Sequence, residues 1–181
     1  MKKDLLGHPL KAKPPYLAPT LQRFDKRTFQ ERLERLQHLQ TVFPKGYGFL
    51  LPPESAFVLS EVKMCFINGQ FIATLMLTQA FIEHALQASL EGLGHPRVAR
   101  RGLSEITKWF RSNRPQHDFL MEKIDKLRRF RNPFSHLRPF DDPDTIGQRM
   151  FKSKQLPEDI IEKEARDALA LMYQVAITRF Q

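Results

Sequence analysis

Apolar residues recur along most of this chain at intervals of three and four, and nowhere in a sustained alternation of two closed by hairpin turns. That period belongs to helices rather than strands. The first such segment starts near Arg23, where Phe29, Leu33, Leu36 and Phe43 follow one face and charges of both signs occupy the others. Pro44, Gly46, Gly48, Pro52 and Pro53 then make a loop. A long helical region runs from about Glu54 to Leu93, interrupted near Asn68-Gly69. Beyond that break, Phe71, Leu75, Ile82, Leu86 and Leu90 form a stripe that Met76, Leu77 and Phe81 widen. A helix apolar over most of its circumference belongs at the centre of a bundle or in an interface.

Gly92, Gly94 and Pro96 end that helix, and a short one is expected around Leu103 to Phe110. From about Gln116 the pattern is helical again, with Leu120, Ile124 and Leu127 inward. Asp144 is a reasonable cap for a short helix through Met150. The last helix starts at about Pro157, carries Glu158 and Asp159 at its positive end, and turns Ile161, Ala165, Ala168, Met172 and Val175 inward. The expected fold is therefore all-α, an antiparallel bundle of four or five helices forming one domain over residues 23–181. Residues 1–22, with Pro9, Pro14, Pro15 and Pro19, read as an extended arm.

Composition changes this picture in two ways. The 29 Lys and Arg against 20 Asp and Glu give a formal net charge of +9, which strengthens the case for a polyanionic partner. The single cysteine, Cys65 in an apolar context, rules out an internal disulfide and suits a reducing cytoplasm as a small buried hydrophobe. No apolar run reaches the ~20 residues of a membrane span, so no membrane partner is expected.

Several chemistries drop out. The eight glycines are scattered and make no phosphate loop, and the six histidines show no metal-ligand spacing. Glu83-His84 is the nearest approach to a metal pair, but neighbours on a helix point about 100° apart. No nucleophile elbow is present. Neither a metal nor a cofactor is expected.

What remains is Leu127-Arg128-Arg129-Phe130-Arg131-Asn132-Pro133-Phe134-Ser135-His136-Leu137-Arg138. Phe130, Phe134 and Leu137 form a core-facing stripe by spacing. Arg131 continues the Leu120–Ile124–Leu127 stripe, which places a guanidinium beside the buried face. Such a group should line a groove, pair with a carboxylate or bind an anion. Pro133 predicts a break, with Asn132 as the cap of a new helix and free amides from Asn132 to Ser135 facing an anion. A kink there is one way to bring Arg131 and His136 to one cleft. Glu83 has two open placements. It either pairs with Arg131 or His136, or lies with Gln79 and Gln87 on a solvated stripe.

The segment Arg131 to His136 resembles the R-x4-6-H signature of the HEPN superfamily, helical bundles that include metal-independent endoribonucleases. Asn132 matches the polar residue common after the family's arginine, and the helix from Asn68 to Leu86 resembles the long helix preceding the motif. The likeness covers roughly residues 55 to 180. Two looser matches, Arg32…His38 and Arg111…His117, lack an Asn after the arginine. The resemblance implies a homodimer in which two motifs face one cleft. Arg131 of each copy would clamp a phosphate of RNA while the two His136 residues serve as base and acid. Asn132 would orient the backbone or the partner histidine, and Arg128, Arg129 and Arg138 would add phosphate affinity. By analogy such a nuclease is a toxin or defence effector restrained by an antitoxin or nucleotidyltransferase. The alternative is a non-catalytic module of the same fold that binds nucleotide, RNA or a protein. A regulator of duplex DNA ranks last, because no helix-turn-helix with a basic recognition helix is evident.

Overall fold

The computed structural model describes residues 16–43 and 52–180; expectations for the first 15 residues and for the loop at 44–51 lie outside the described residues. Among the described residues eight helices follow one another: α1 (Leu17–Val42), α2 (Pro53–Ile67), α3 (Phe71–Gly92), α4 (Pro96–Ala99), α5 (Leu103–Asn113), α6 (Asp118–Ser135), α7 (Ile146–Ser153) and α8 (Pro157–Ile177). A 3-10 turn at Pro115–His117 leads into α6, and no strand occurs among the described residues. The fold is all-α, as the periodicity predicts, with α4 and α7 as short additions to the long helices.

The apolar circumference of α3 makes it the centre. It packs against α2 and α8, and also touches α4, α5 and α6. One side carries Leu75, Ile82, Leu86 and Leu90 into a core shared with Ile106, Phe110, Met121 and Ile124. The other side sends Phe81 into a second core built from Leu39, Val62, Phe66, Leu169 and Met172. Truncating one of these fully buried side chains to Ala costs about 2–5 kcal/mol.

The α2–α3 break is a chain reversal that only glycine fits comfortably. Gly69 has φ +73°, the N–H of Gln70 bonds back to the Cys65 carbonyl at 2.8 Å, and that of Gly69 to Phe66 at 3.0 Å. A Cβ at Gly69 would also come within 3.0 Å of the Arg35 guanidinium. At α7 the cap is Thr145, not Asp144: its Oγ1 accepts the Gln148 N–H at 3.4 Å. Asp142 organises the turn before it, accepting the Asp144 N–H at 2.9 Å. Pro157 and its acidic neighbours open α8 as expected.

Helix α1 departs most from expectation. It begins at Leu17, inside the segment expected to be an extended arm, and Pro19 sits in its first turn, where no intrahelical donor is needed. Its packed face carries Arg35 and Leu39, while Phe29 and Leu36 are exposed. Of the expected face, Phe43 packs on Tyr173 at 5.2 Å between ring centroids and Leu33 is half-buried, so the departure lies at Phe29 and Leu36. Two apolar stripes run along α1, about 100° apart, and the cores of α2 and α8 select the one ending in Leu39.

Candidate functional site

The last turns of α6 place the segment singled out by sequence. Leu120, Ile124 and Leu127 are buried in the first core, and Arg131 lies one turn further along the same face, half-buried against α3. There its Nε–H donates to the Oε1 of Gln79 at 2.9 Å, and its Nη1 donates to the Ser135 hydroxyl at 3.1 Å. The Ser135 Oγ in turn lies 3.3 Å from the sulfur of Met76. Gln79 is only 4% exposed. Of the stripe of Gln79, Glu83 and Gln87, Gln79 is a buried clamp while the other two are half-buried; the sequence does not reveal this because the partner of Gln79 is 52 residues away.

Pro133 does not start a new helix. Helix α6 continues through Ser135 with Pro133 inside its last turn, so Asn132 is not a cap and no free amides from Asn132 to Ser135 are offered to an anion. A proline this close to a helix end removes one hydrogen bond from a turn that is about to finish. The Asn132 carbonyl still accepts the His136 N–H at 2.9 Å, and His136 leaves the helix in extended backbone (φ −138°, ψ 132°). That exit achieves what a kink was expected to do. Arg131, Asn132 and His136 all line one open cleft of about 330 Å³, with Gln79 and Glu83 of α3 as one wall and Gly102 to Glu105 at the start of α5 as another.

The electrostatics of the cleft are uneven. Burial pushes the Arg131 guanidinium below its ordinary pKa, Glu83 opposes that shift, and Arg128 adds to it. Arginine nevertheless stays protonated at neutral pH. Its two hydrogen-bond partners are neutral, and among the described residues no carboxylate forms an ion pair with it. Arg128 lines the same cleft, but Asp125 holds its Nε at 3.5 Å. Glu83 sits half-buried in the wall, which favours the first of its two placements through proximity rather than a direct bond. His136 is exposed.

The remaining candidates are not brought together. Arg129 is exposed and does not line the cleft, and Arg138 lies 3.9 Å from Asp142 on the following loop. Phe130 and Phe134 are partly buried, but Leu137 is fully exposed because the helix has ended before it. The two looser motif matches serve structure. His38 packs on the Phe66 ring and Arg32 pairs with Asp25, while His117 packs on Phe180 and Arg111 pairs with Asp118. Among the described residues no group of three or more side chains suited to a metal ion occurs, and no helix is long and apolar enough to cross a membrane. No family model, curated protein or solved structure matches this chain.

Proposed function

We propose that the chain is a HEPN-type, metal-independent endoribonuclease whose complete site forms between two copies. The observation that carries this reading is the shared cleft: Arg131, hydrogen-bonded to neutral partners with Glu83 nearby in the same wall, and His136, on an extended exit, open to the same space. A planar guanidinium suits the two non-bridging oxygens of a phosphodiester. In the reaction, one His136 takes the proton of a ribose 2′-OH, whose oxygen attacks phosphorus. The P–O5′ bond breaks, and the second His136 protonates the departing 5′-oxygen. The products are a 2′,3′-cyclic phosphate and a 5′-OH, with no oxidant and no metal required. The Arg131 pair stabilises the charge that builds on the phosphoryl oxygens.

Arg128 adds positive potential at the cleft, and Asn132 lines it together with Arg131 and His136. Arg129 and Arg138 contribute long-range attraction for RNA rather than contacts in the cleft. On this reading the protein acts in the cytoplasm as a toxin or defence effector, restrained by a partner such as an antitoxin or nucleotidyltransferase. The test uses purified protein and RNA in EDTA. Fragments ending in 2′,3′-cyclic phosphate support the reading; salt-dependent binding of intact RNA without fragments replaces it with the binding-only module.

A further inference from the structure

The connection from α3 to α5 carries a strip of positive charge that no ion pair among the described residues uses. Helix α4, within that connection, is short but fixed. Ala99 is buried in the first core, Val98 packs against it, and the N–H groups of both donate to the His95 carbonyl, at 3.0 Å from Val98 and 3.1 Å from Ala99. The Arg101 N–H donates to the Val98 carbonyl at 2.9 Å and closes the turn. With Val98 and Ala99 packed on the core, Arg97, Arg100 and Arg101 are all exposed.

Neighbouring carboxylates do not offset these three. From residue 91 to residue 114, six basic side chains stand against Glu91 and Glu105. Glu105 is paired with Lys108 at 2.9 Å. The other carboxylates of this edge, Glu83, Asp118 and Asp125, act on Arg131, Arg111 and Arg128. Among the described residues no carboxylate is ion-paired with Arg97, Arg100 or Arg101. Arg101 does act on Glu105 at longer range: after the Lys108 hydrogen bond and charge, it helps hold that carboxyl below its ordinary pKa. Like charges held together on a fixed turn repel one another, and a polyanion lying along the strip relieves that repulsion.

The strip is continuous with the cleft. Gly102, the residue after Arg101, lines the cleft together with Ser104, Glu105, Arg131 and His136. One turn beyond Glu105 on the same face of α5, ~6 Å along the helix, is Trp109, half-buried at the edge of the first core. The exposed His95 ring lies against it with centroids 4.6 Å apart, and the Arg114 guanidinium is 6.0 Å from the Trp109 ring. Cations for phosphates beside ring surface for an unstacked base are what a single strand of nucleic acid requires. A duplex keeps its bases stacked inside and cannot use the rings. An acidic peptide would use the arginines and leave the ring pair without a role.

We propose that α4 and the adjoining face of α5 form a second RNA subsite, in which Arg97, Arg100 and Arg101 hold phosphates of the strand flanking the scissile bond and the His95–Trp109 pair stacks one of its bases. The proposal rests on the reading of the cleft as an RNA site. It adds the class of RNA taken there, an unpaired strand rather than a duplex.

Trp109 is the chain's only tryptophan, so its fluorescence reports on the subsite directly. The probe is a 2′-O-methyl oligoribonucleotide of about ten residues, which cannot be cleaved because its 2′-oxygen is blocked. Wild type should bind the single strand with quenching of Trp109, at least about tenfold more tightly than the matching duplex. Arg97→Ala/Arg100→Ala/Arg101→Ala should keep its helical circular dichroism and bind at least about tenfold more weakly. Its salt slope should fall by about 2, because each single-strand phosphate contact contributes about 0.7. A wild type that does not bind the probe, an unquenched Trp109, equal affinity for the duplex, or an unchanged slope in the triple variant overturns the proposal. Cleavage of unmodified RNA separates the two readings. Cleavage with arginine-independent binding removes the subsite and leaves the nuclease; arginine-dependent, quenching binding without cleavage removes the nuclease and leaves the subsite.

Discussion

Two arginines of this bundle are held in opposite ways, and the difference separates a structural role from a functional one. Arg35 is 9% exposed and surrounded by charge compensation: Glu31 at 3.0 Å, Glu162 at 3.8 Å and the face of Phe71. Its positive charge is used up in joining α1 to the α2–α3 turn and α8. Arg131 sits at a similar edge of the core but is fixed by a carboxamide and a hydroxyl. Neutral hydrogen-bond partners set the position of the Arg131 guanidinium, with Glu83 acting on it from the cleft wall without a direct bond, so Arg131 keeps more of its attraction for an anion than Arg35 does. A third arginine, Arg149, follows the first pattern through its pair with Glu164.

Breaking the comparison should separate activity from stability. Arg131→Ala is expected to lower RNA cleavage by about a hundredfold to a thousandfold, with a stability loss of about 1–3 kcal/mol because the buried Gln79 carboxamide loses its donor. Glu164→Gln should leave cleavage per folded molecule intact but destabilise by about 3 kcal/mol, because Arg149, 11% exposed, loses the carboxylate that pairs with it. Urea unfolding measures that loss. Arg35→Ala belongs with it, at about 2 kcal/mol by the same measurement, with activity again unchanged. Gln79→Glu sharpens the comparison rather than breaking it. The variant gives Arg131 a carboxylate partner like those of Arg35, so cleavage should fall roughly tenfold while Tm holds. Equal activity in that variant would show that the charge state of Arg131 does not matter.

The smallest effect concerns the histidines of the two discarded motifs. Burial lowers the pKa of both His38 and His117 below 6.5, aided by Arg166 and Arg114 respectively. The unfolded chain therefore binds more protons just below that value. Their contribution to stability is fully present above pH 6.5 and is lost as the pH falls through the folded-state pKa values. His38→Gln/His117→Gln should flatten the acid limb of the Tm curve relative to wild type. An unchanged limb would mean that neither ring is protected by its packing.

Much of this was legible in the chain itself, for identifiable reasons. The α2–α3 break could be read because Asn68-Gly69 offers a left-handed residue that neighbouring side chains do not. The axial position of α3 followed from its apolar circumference. Arg131 stood out because it interrupts a stripe of buried leucine and isoleucine. Other features depend on contacts distant in sequence. Gln79 looks like an ordinary polar residue until α6 is laid beside it. The two stripes of α1 differ too little in hydrophobicity for the sequence to choose between them. Pro133 misled because its rule is local, whereas the turn that contains it is already held by the packing of Phe130 and Phe134.

The central claim is that Arg131 and His136 together form a metal-free cleaving site. It is tested most directly by single-turnover cleavage of a short RNA in EDTA by wild type, Arg131→Ala and His136→Ala, each checked for native helix content. The account predicts cyclic-phosphate products from wild type and losses of at least about a hundredfold in both variants. Equal cleavage by all three proteins, or intact RNA with wild type, would contradict it.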